Sequence, residues 1–127
     1  MLTEAELVAF VATANLDAAI AFYEGVLGFA VVDQSPFAAV IDANGTMLRL
    51  TPVDGYEPQG HTNLGWRVSD IEAASDVLAS AGVVFLRYEG MDQDNRGIWT
   101  TPSQDRIAWF ADPDGNILSI GQHPGLR

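Results

Sequence analysis

The chain repeats itself, and that repeat limits what it can fold into. Residues 37–50 (FAAVIDANGTMLRL) and 107–120 (IAWFADPDGNILSI) each carry an apolar run, a turn built on Asp and Gly, and a second apolar run. Asp42, Gly45 and Leu50 align with Asp112, Gly115 and Ile120 at a constant separation of 70 residues. Asn15-Leu16-Asp17-Ala18-Ala19 likewise matches Asp70-Ile71-Glu72-Ala73-Ala74 at a separation of 55. Two halves with one element order are expected to build the same supersecondary unit twice.

The elements follow from periodicity and punctuation. Residues 7–12 (LVAFVA) form a continuous apolar run, which predicts a strand buried on both faces. Asn15 is a good N-cap, Leu16, Ala19, Ile20, Tyr23 and Leu27 recur at helical spacing, and Gly28 stops the helix. Residues 29–33 read as a strand, and 37–42 with 46–51 as a hairpin turning on Asn44-Gly45. Residues 53–61 are a linker by their Pro, Gly and polar content. The pattern then restarts, with a strand from Thr62, a helix capped by Asp70 and ended by Gly82, a strand at 83–88, and a closing hairpin at 106–111 and 116–121. The expected architecture is one α+β domain over residues 1–127, made of a βαβββ module at 7–52 and a second at 62–122. Residues 89–103 are an insertion in the second module, read as a surface loop with at most one added strand at 97–101, or as a flap over a site. Its Trp99 is expected to pack over something, since an indole is poorly placed in water.

Composition narrows the function classes. The chain has 127 residues, 48% of them apolar, which is ample for a core. Its net charge is −11, and all six basic residues are Arg, so binding to nucleic-acid phosphates is not expected. Without cysteine there is no disulfide, thiolate ligand or Cys nucleophile. No apolar run is long enough to span a bilayer, and no secretion signal is recognisable, so the expected location is the cytoplasm.

Residues 15–29, with Asn15-Leu16-Asp17, Phe22-Tyr23 and Leu27-Gly28-Phe29, resemble the first helix of the vicinal oxygen chelate superfamily. Phe110-Ala111-Asp112-Pro113-Asp114-Gly115-Asn116 resembles that family's F-x-D-P-D-G-N hairpin. The superfamily includes glyoxalase I, extradiol dioxygenases, fosfomycin-resistance enzymes and bleomycin-resistance proteins. The resemblance spans about residues 7–122. It implies that each module curls its sheet into a partly closed mixed barrel around a shared cavity, with the helices outside, and that the chain forms a homodimer. Metal-using members place ligands on the first and last strand of each module, which map here to Val8, Arg49, Asn63 and Ser119. Valine cannot ligate, arginine is a permanent cation, and Asn and Ser are weak neutral ligands, so no metal and no other cofactor is expected. A shift in strand register would bring in His61, but one histidine makes a poor site. His61 and His123 are both expected to be solvated residues at strand ends.

Strand alternation then predicts the cavity wall. Val8 brings Phe10, Arg49 brings Met47, and Asn63 brings Gly65 and Arg67. Symmetric pairing of the hairpins sets Ala39 opposite Arg49 and Trp109 opposite Ser119, with Phe37 and Ile107 on the same face. The predicted ligand-binding set is therefore Phe10, Phe37, Met47, Arg49, Asn63, Arg67, Trp99, Trp109 and Ser119. Apolar walls with a few placed polar groups suit a small molecule, most simply an aromatic one. Arg49 and Arg67 require either an internal carboxylate such as Glu89, Asp92 or Asp105, or an anionic group on the ligand. The leading expectation is a metal-free small-molecule-binding protein of the glyoxalase/bleomycin-resistance type, sequestering a drug or metabolite. The alternatives are an enzyme of the same superfamily (a lyase, isomerase or dioxygenase) with a non-standard site, and a module whose cavity is filled by its own side chains. No catalytic residue is singled out, because no inward base emerges from the strand parity.

Overall fold

A computed structural model describes residues 1–125. The chain divides into two compact units, Met1–Pro58 and Gln59 onward. Each holds an open four-stranded mixed sheet rather than a partly closed barrel.

In the first unit a short 3-10 turn at Leu2–Glu4 precedes β1 (Val8–Thr13), α1 (Leu16–Ile20), β2 (Ala30–Ser35), β3 (Ala38–Ala43) and β4 (Thr46–Pro52). The sheet order is β1-β4-β3-β2, with β1 and β4 parallel and the other pairs antiparallel. The Asn15 side chain caps α1 by accepting from the Ala18 N–H at 3.1 Å. The helix does not continue as α to Leu27. It widens into a π-helical turn at Ala21–Val26, where the Leu27 N–H reaches back to the Phe22 carbonyl. Gly28, at φ +82°, then reverses the chain, and Phe29 N–H closes the end onto the Tyr23 carbonyl.

β1 is buried on one face, not two. Val11 and Thr13 are buried while Val8 and Phe10 are exposed, so the apolar run hides an alternation that only its neighbours reveal. Val11, Ile41, Leu48 and Leu50 join Ala19 and Tyr23 of the helical segment in the fully buried set. Those helical residues come from the α1 and π-turn face set by the spacing of Ala19 and Tyr23.

In the second unit the order is β5 (Thr62–Arg67), α2 (Ile71–Ser80), β6 (Trp99–Thr100), β7 (Arg106–Ala111) and β8 (Ile117–Gln122). The sheet order is β5-β8-β7-β6, with β5 and β8 parallel. Asp70 caps α2 through the Ala73 N–H, and Gly82, at φ +99°, follows its end. Residues 83–88 do not form the expected strand. They run as irregular chain, tied to β7 by the Leu86 N–H to the Trp109 carbonyl at 2.8 Å, while β6 from the insertion takes up pairing with β7. The core contains Ile71, Ala108, Phe110, Leu118 and Ile120, and Phe85 meets Phe110 edge-on at 5.9 Å.

The insertion is strapped down by charge. Arg96 grips Asp76 of α2 with two bonds of 2.9 and 3.1 Å, and Arg106 of β7 lies 3.7 Å from Asp94 of the insertion and 3.0 Å from Glu72 of α2. Bidentate pairing gives the strap a defined geometry. Arg96 holds the Asp76 carboxyl below its ordinary value through those hydrogen bonds.

Candidate functional site

Each sheet has one face toward its helix and one face away from it. The predicted residues are judged by which face they reach.

In the first unit, Phe10 pairs directly with Arg49, and Val8 with Met47, across the parallel β1–β4 ladder. Phe10, Met47 and Arg49 therefore share the face away from α1. Phe10 is 66% exposed and Met47 42%. Arg49 is half-buried, and its side chain makes no hydrogen bond or ion pair among the described residues, so the expected carboxylate partner is not found there. A shallow depression of about 360 Å³ includes Glu6, Val8, Val32, Val40, Asp42 and Met47 in its lining.

Phe37 does not join this face. Arg49 pairs with Val40, and Ala39 with Leu50, one residue away from the symmetric expectation. The cause is the tight Asn44-Gly45 turn, whose positive φ values of 54° and 90° let Ala43 pair with Thr46 directly. A one-residue slip exchanges the two faces of a strand. Phe37 lies outside the ladder altogether, in the turn between β2 and β3, 81% exposed, with its N–H on the Ser35 hydroxyl.

In the second unit Trp109 faces Ser119 as expected, because the five-residue turn of that hairpin is symmetric about Asp114. Trp99 of β6 pairs with Ile107, and its indole stacks on Trp109 with ring centres 6.3 Å apart and planes at 30°. Tyr88, which sequence parity did not assign, meets Trp109 edge-on at 5.5 Å. The three rings form a continuous aromatic platform, and Trp99 packs on its own sheet. The Ser119 hydroxyl leans over Gly65 of β5. A Cβ at Gly65 would lie 2.7 Å from it, so glycine leaves this part of the face low.

Asn63 is not placed by alternation. The β5–β8 register shifts between Thr62 and Leu64, making Asn63 the extra residue of a bulge. Its Nδ2 donates to Asn116 Oδ1 at 3.2 Å, while its own Oδ1 is buried without a partner among the described residues. Asn116 in turn donates to Asp112 Oδ2 at 2.9 Å, so this polar chain supports the hairpin turn.

Arg67 donates from Nη2 to the His123 carbonyl oxygen at 3.1 Å. Asp105 lies beside His123, with Oδ1 3.4 Å from Nδ1. His123 is thus not the solvated strand-end residue expected. No strand pattern covers a residue just past β8, so parity had no means of finding it. His61 is exposed, with Nδ1 3.4 Å from the Thr62 carbonyl oxygen.

The residues at the four mapped metal positions do not fit a metal. Val8 is aliphatic, Arg49 cationic, Asn63 engaged with Asn116 and Ser119 a neutral hydroxyl. Among the described residues, no group of three His, Cys, Asp or Glu side chains is gathered to hold an ion. None of the described helices is long and apolar enough to cross a membrane.

Comparison with known proteins agrees with this architecture. Among solved structures, the chain is similar to a lactoylglutathione lyase from Agrobacterium tumefaciens (TM-score 0.75, 20% identity, 98% of each chain covered). It is also similar to a bleomycin resistance determinant encoded on the transposon Tn5 (TM-score 0.74, 20% identity, 94% of this chain and 98% of that one). A third is TnmS3, an antibiotic binding protein from Streptomyces sp. CB03234 (TM-score 0.69, 25% identity, 96% and 98% covered). No curated protein matches the chain. A family model covers residues 6–120, nearly the whole of both units, and with it the chain belongs to the Glyoxalase/Bleomycin resistance protein/Dioxygenase superfamily.

Proposed function

We propose that this protein binds a small aromatic molecule without a metal, sequestering a drug or metabolite as a cytoplasmic homodimer. The observation that carries this reading is the Trp99–Trp109 stack with Tyr88 on its edge. Indoles on a sheet face offer a large, rigid apolar surface, and flat rings gain most from it. Ser119 and Arg67 supply polar groups on the same face, and in the first unit Phe10, Met47 and Arg49, whose side chain has no partner among the described residues, offer a second surface of similar chemistry. The 25% identity to an antibiotic binding protein supports the binding reading. The exposed apolar face of the first sheet supports association with a second copy.

The test is isothermal titration against a panel of aromatic antibiotics and aromatic acids, with Trp99→Ala and Trp109→Ala as comparators. At least one compound is expected to bind the parent protein in the micromolar range or tighter, and each substitution is expected to weaken it about tenfold or more. Elemental analysis after incubation with Mn, Fe(II), Ni and Zn accompanies it. Near-stoichiometric metal after dialysis would overturn the metal-free reading. Light scattering checks the dimer.

A further inference from the structure

Residues 83–88 form no strand, yet they carry one ring of the platform, Tyr88. Their backbone groups need the partners that a ladder would otherwise supply. The Leu86 N–H has the Trp109 carbonyl oxygen at 2.8 Å. The Leu86 carbonyl oxygen and the Tyr88 N–H both go to one side chain. Gln93 Oε1 accepts from the Tyr88 N–H at 2.8 Å, and Nε2 donates to the Leu86 carbonyl oxygen at 2.9 Å. A residue on a parallel neighbouring strand bonds the same two groups, the carbonyl before a residue and the N–H after it. The Gln93 amide therefore stands in for a missing strand.

The second amide hydrogen is used as well. Nε2 also donates to the Gly97 carbonyl oxygen at 2.9 Å. Gly97 is buried at φ +87°, and a Cβ there would lie 3.0 Å from Phe85 Cβ, so glycine lets the insertion close on residues 83–88. With both hydrogens and the oxygen engaged, the amide is held in one orientation. Among the described residues these three backbone groups have no other hydrogen bond. Between the two residues the chain is compact, with the Met91 N–H on the Tyr88 carbonyl oxygen at 3.2 Å and the Gln93 N–H on the Met91 carbonyl oxygen at 3.0 Å. Tyr88 and Gln93 are the two ends of one closed loop.

The rings of the platform are held by different means. Trp99 is placed by the pairing of β6 with β7, opposite Ile107, so its stack on Trp109 does not depend on Gln93. Tyr88 has no strand. It is 37% exposed and stands at 89° to the Trp109 ring. Arg87 bonds the carbonyl oxygens of Gln93 and Asn95 at 3.5 and 2.9 Å, which ties the insertion's main chain and leaves the Tyr88 N–H to Gln93. A ring on an unheld backbone would lose more freedom on meeting a ligand, and binding would weaken accordingly.

We propose that Gln93 is a positioning residue for the ligand face: by holding the Tyr88 main chain, it sets the Tyr88 ring as a preformed wall beside the Trp99–Trp109 stack and so strengthens binding of flat aromatic ligands. This rests on the aromatic-ligand reading above and adds the residue that prearranges the third ring.

The test uses 2-naphthol as probe, in equilibrium dialysis with the parent protein, Gln93→Met, Tyr88→Ala and the double variant. Methionine keeps the length of the side chain and loses all three bonds. Each single substitution is expected to weaken binding about fivefold, the order of one aromatic contact. The double variant is expected to bind no more weakly than Tyr88→Ala, because Gln93 acts through that ring. NMR and circular dichroism of the free protein supply readouts that need no ligand. In the parent protein the Tyr88 ring protons are expected away from ordinary tyrosine positions, displaced by the neighbouring indole. In Gln93→Met they are expected to return, while the Trp99–Trp109 couplet persists and reports a folded second unit. Tyr88 shifts unchanged in Gln93→Met overturn the assignment, and so does a double variant whose loss is the product of the two single losses. Disappearance of the couplet in Gln93→Met overturns it too, since Gln93 would then hold the whole face rather than one ring. If the parent protein does not bind 2-naphthol, the aromatic-ligand reading falls, and the Tyr88 shifts alone decide whether Gln93 places that ring.

Discussion

Asn116→Ala tests whether the polar chain at the second hairpin holds that unit together. Asn116 is fully buried and Asp112 nearly so, at 0% and 5% exposure. The substitution removes the bond from Nδ2 to the Asp112 carboxylate at 2.9 Å and the bond accepted from Asn63 at 3.2 Å. It leaves in place the backbone donors from Asp114 and residue 116 to Asp112 Oδ1. A hydrogen bond to a charged group contributes about 1.5–3 kcal/mol and a neutral one about 0.5–1.5, so the expected loss is about 2–4.5 kcal/mol. With an unfolding entropy of about 0.27 kcal/mol/K for a chain of 127 residues, the melting temperature should fall by roughly 7–17 °C. The internal repeat supplies the control, since Thr46 stands 70 residues before Asn116 with no such network. Thr46→Ala should stay within about 0.5 kcal/mol, or roughly 2 °C. Differential scanning calorimetry of the two variants decides the matter. Equal shifts in both would refute the reasoning, because position in the repeat would then matter and the buried network would not.

Phe110→Ala empties the centre of the second unit, where Phe110 is 1% exposed and meets Phe85 edge-on, and urea unfolding should show a loss of about 3–5 kcal/mol. Since Arg96 lowers the pKa of Asp76, that carboxylate favours the folded state above the ordinary carboxylate range. The contribution is lost as pH falls through the lowered value. The melting-temperature gap between the parent protein and Asp76→Asn should accordingly be widest near neutral pH and close in acid, and a gap constant with pH contradicts the strap. The Trp99–Trp109 stack should give a coupled circular-dichroism couplet, and Trp99→Phe and Trp109→Phe should each remove the same couplet. Two unrelated difference spectra would show that the rings do not stack in solution.

Elements set by local chemistry were readable from the residues. Asn15 and Asp70 cap as their side chains suggest, and Gly28 and Gly82 follow the helical segments in left-handed conformations. Trp109 facing Ser119 followed from turn symmetry alone. The errors share one kind of cause. Alternation carries a face assignment along a strand only while the register is unbroken. The two-residue turn at Asn44-Gly45 removed Phe37 from the site, and the bulge at Asn63 removed that residue from the open face's pattern. Residues 83–88 have strand-like composition, but β6 pairs with β7 at Arg106 and Ile107, and only Leu86 bonds to Trp109. Strand identity depends on an available partner, which no local pattern records.

The sequence by itself determined the duplication, the element order of each half, the caps and turns, and the absence of thiols and of a basic surface. These rest on composition and on interactions within a few residues. The tertiary structure alone decided which residues meet. Trp99 and Trp109 are ten positions apart, yet they stack because β6 pairs with β7. His123 meets Asp105 because β7 and β8 are antiparallel, so the start of one lies beside the end of the other. The Arg49 side chain has no partner among the described residues although the chain carries 17 acidic residues. Charge is a property of the sequence, but pairing requires two groups within a few ångströms, and that distance is set by long-range packing.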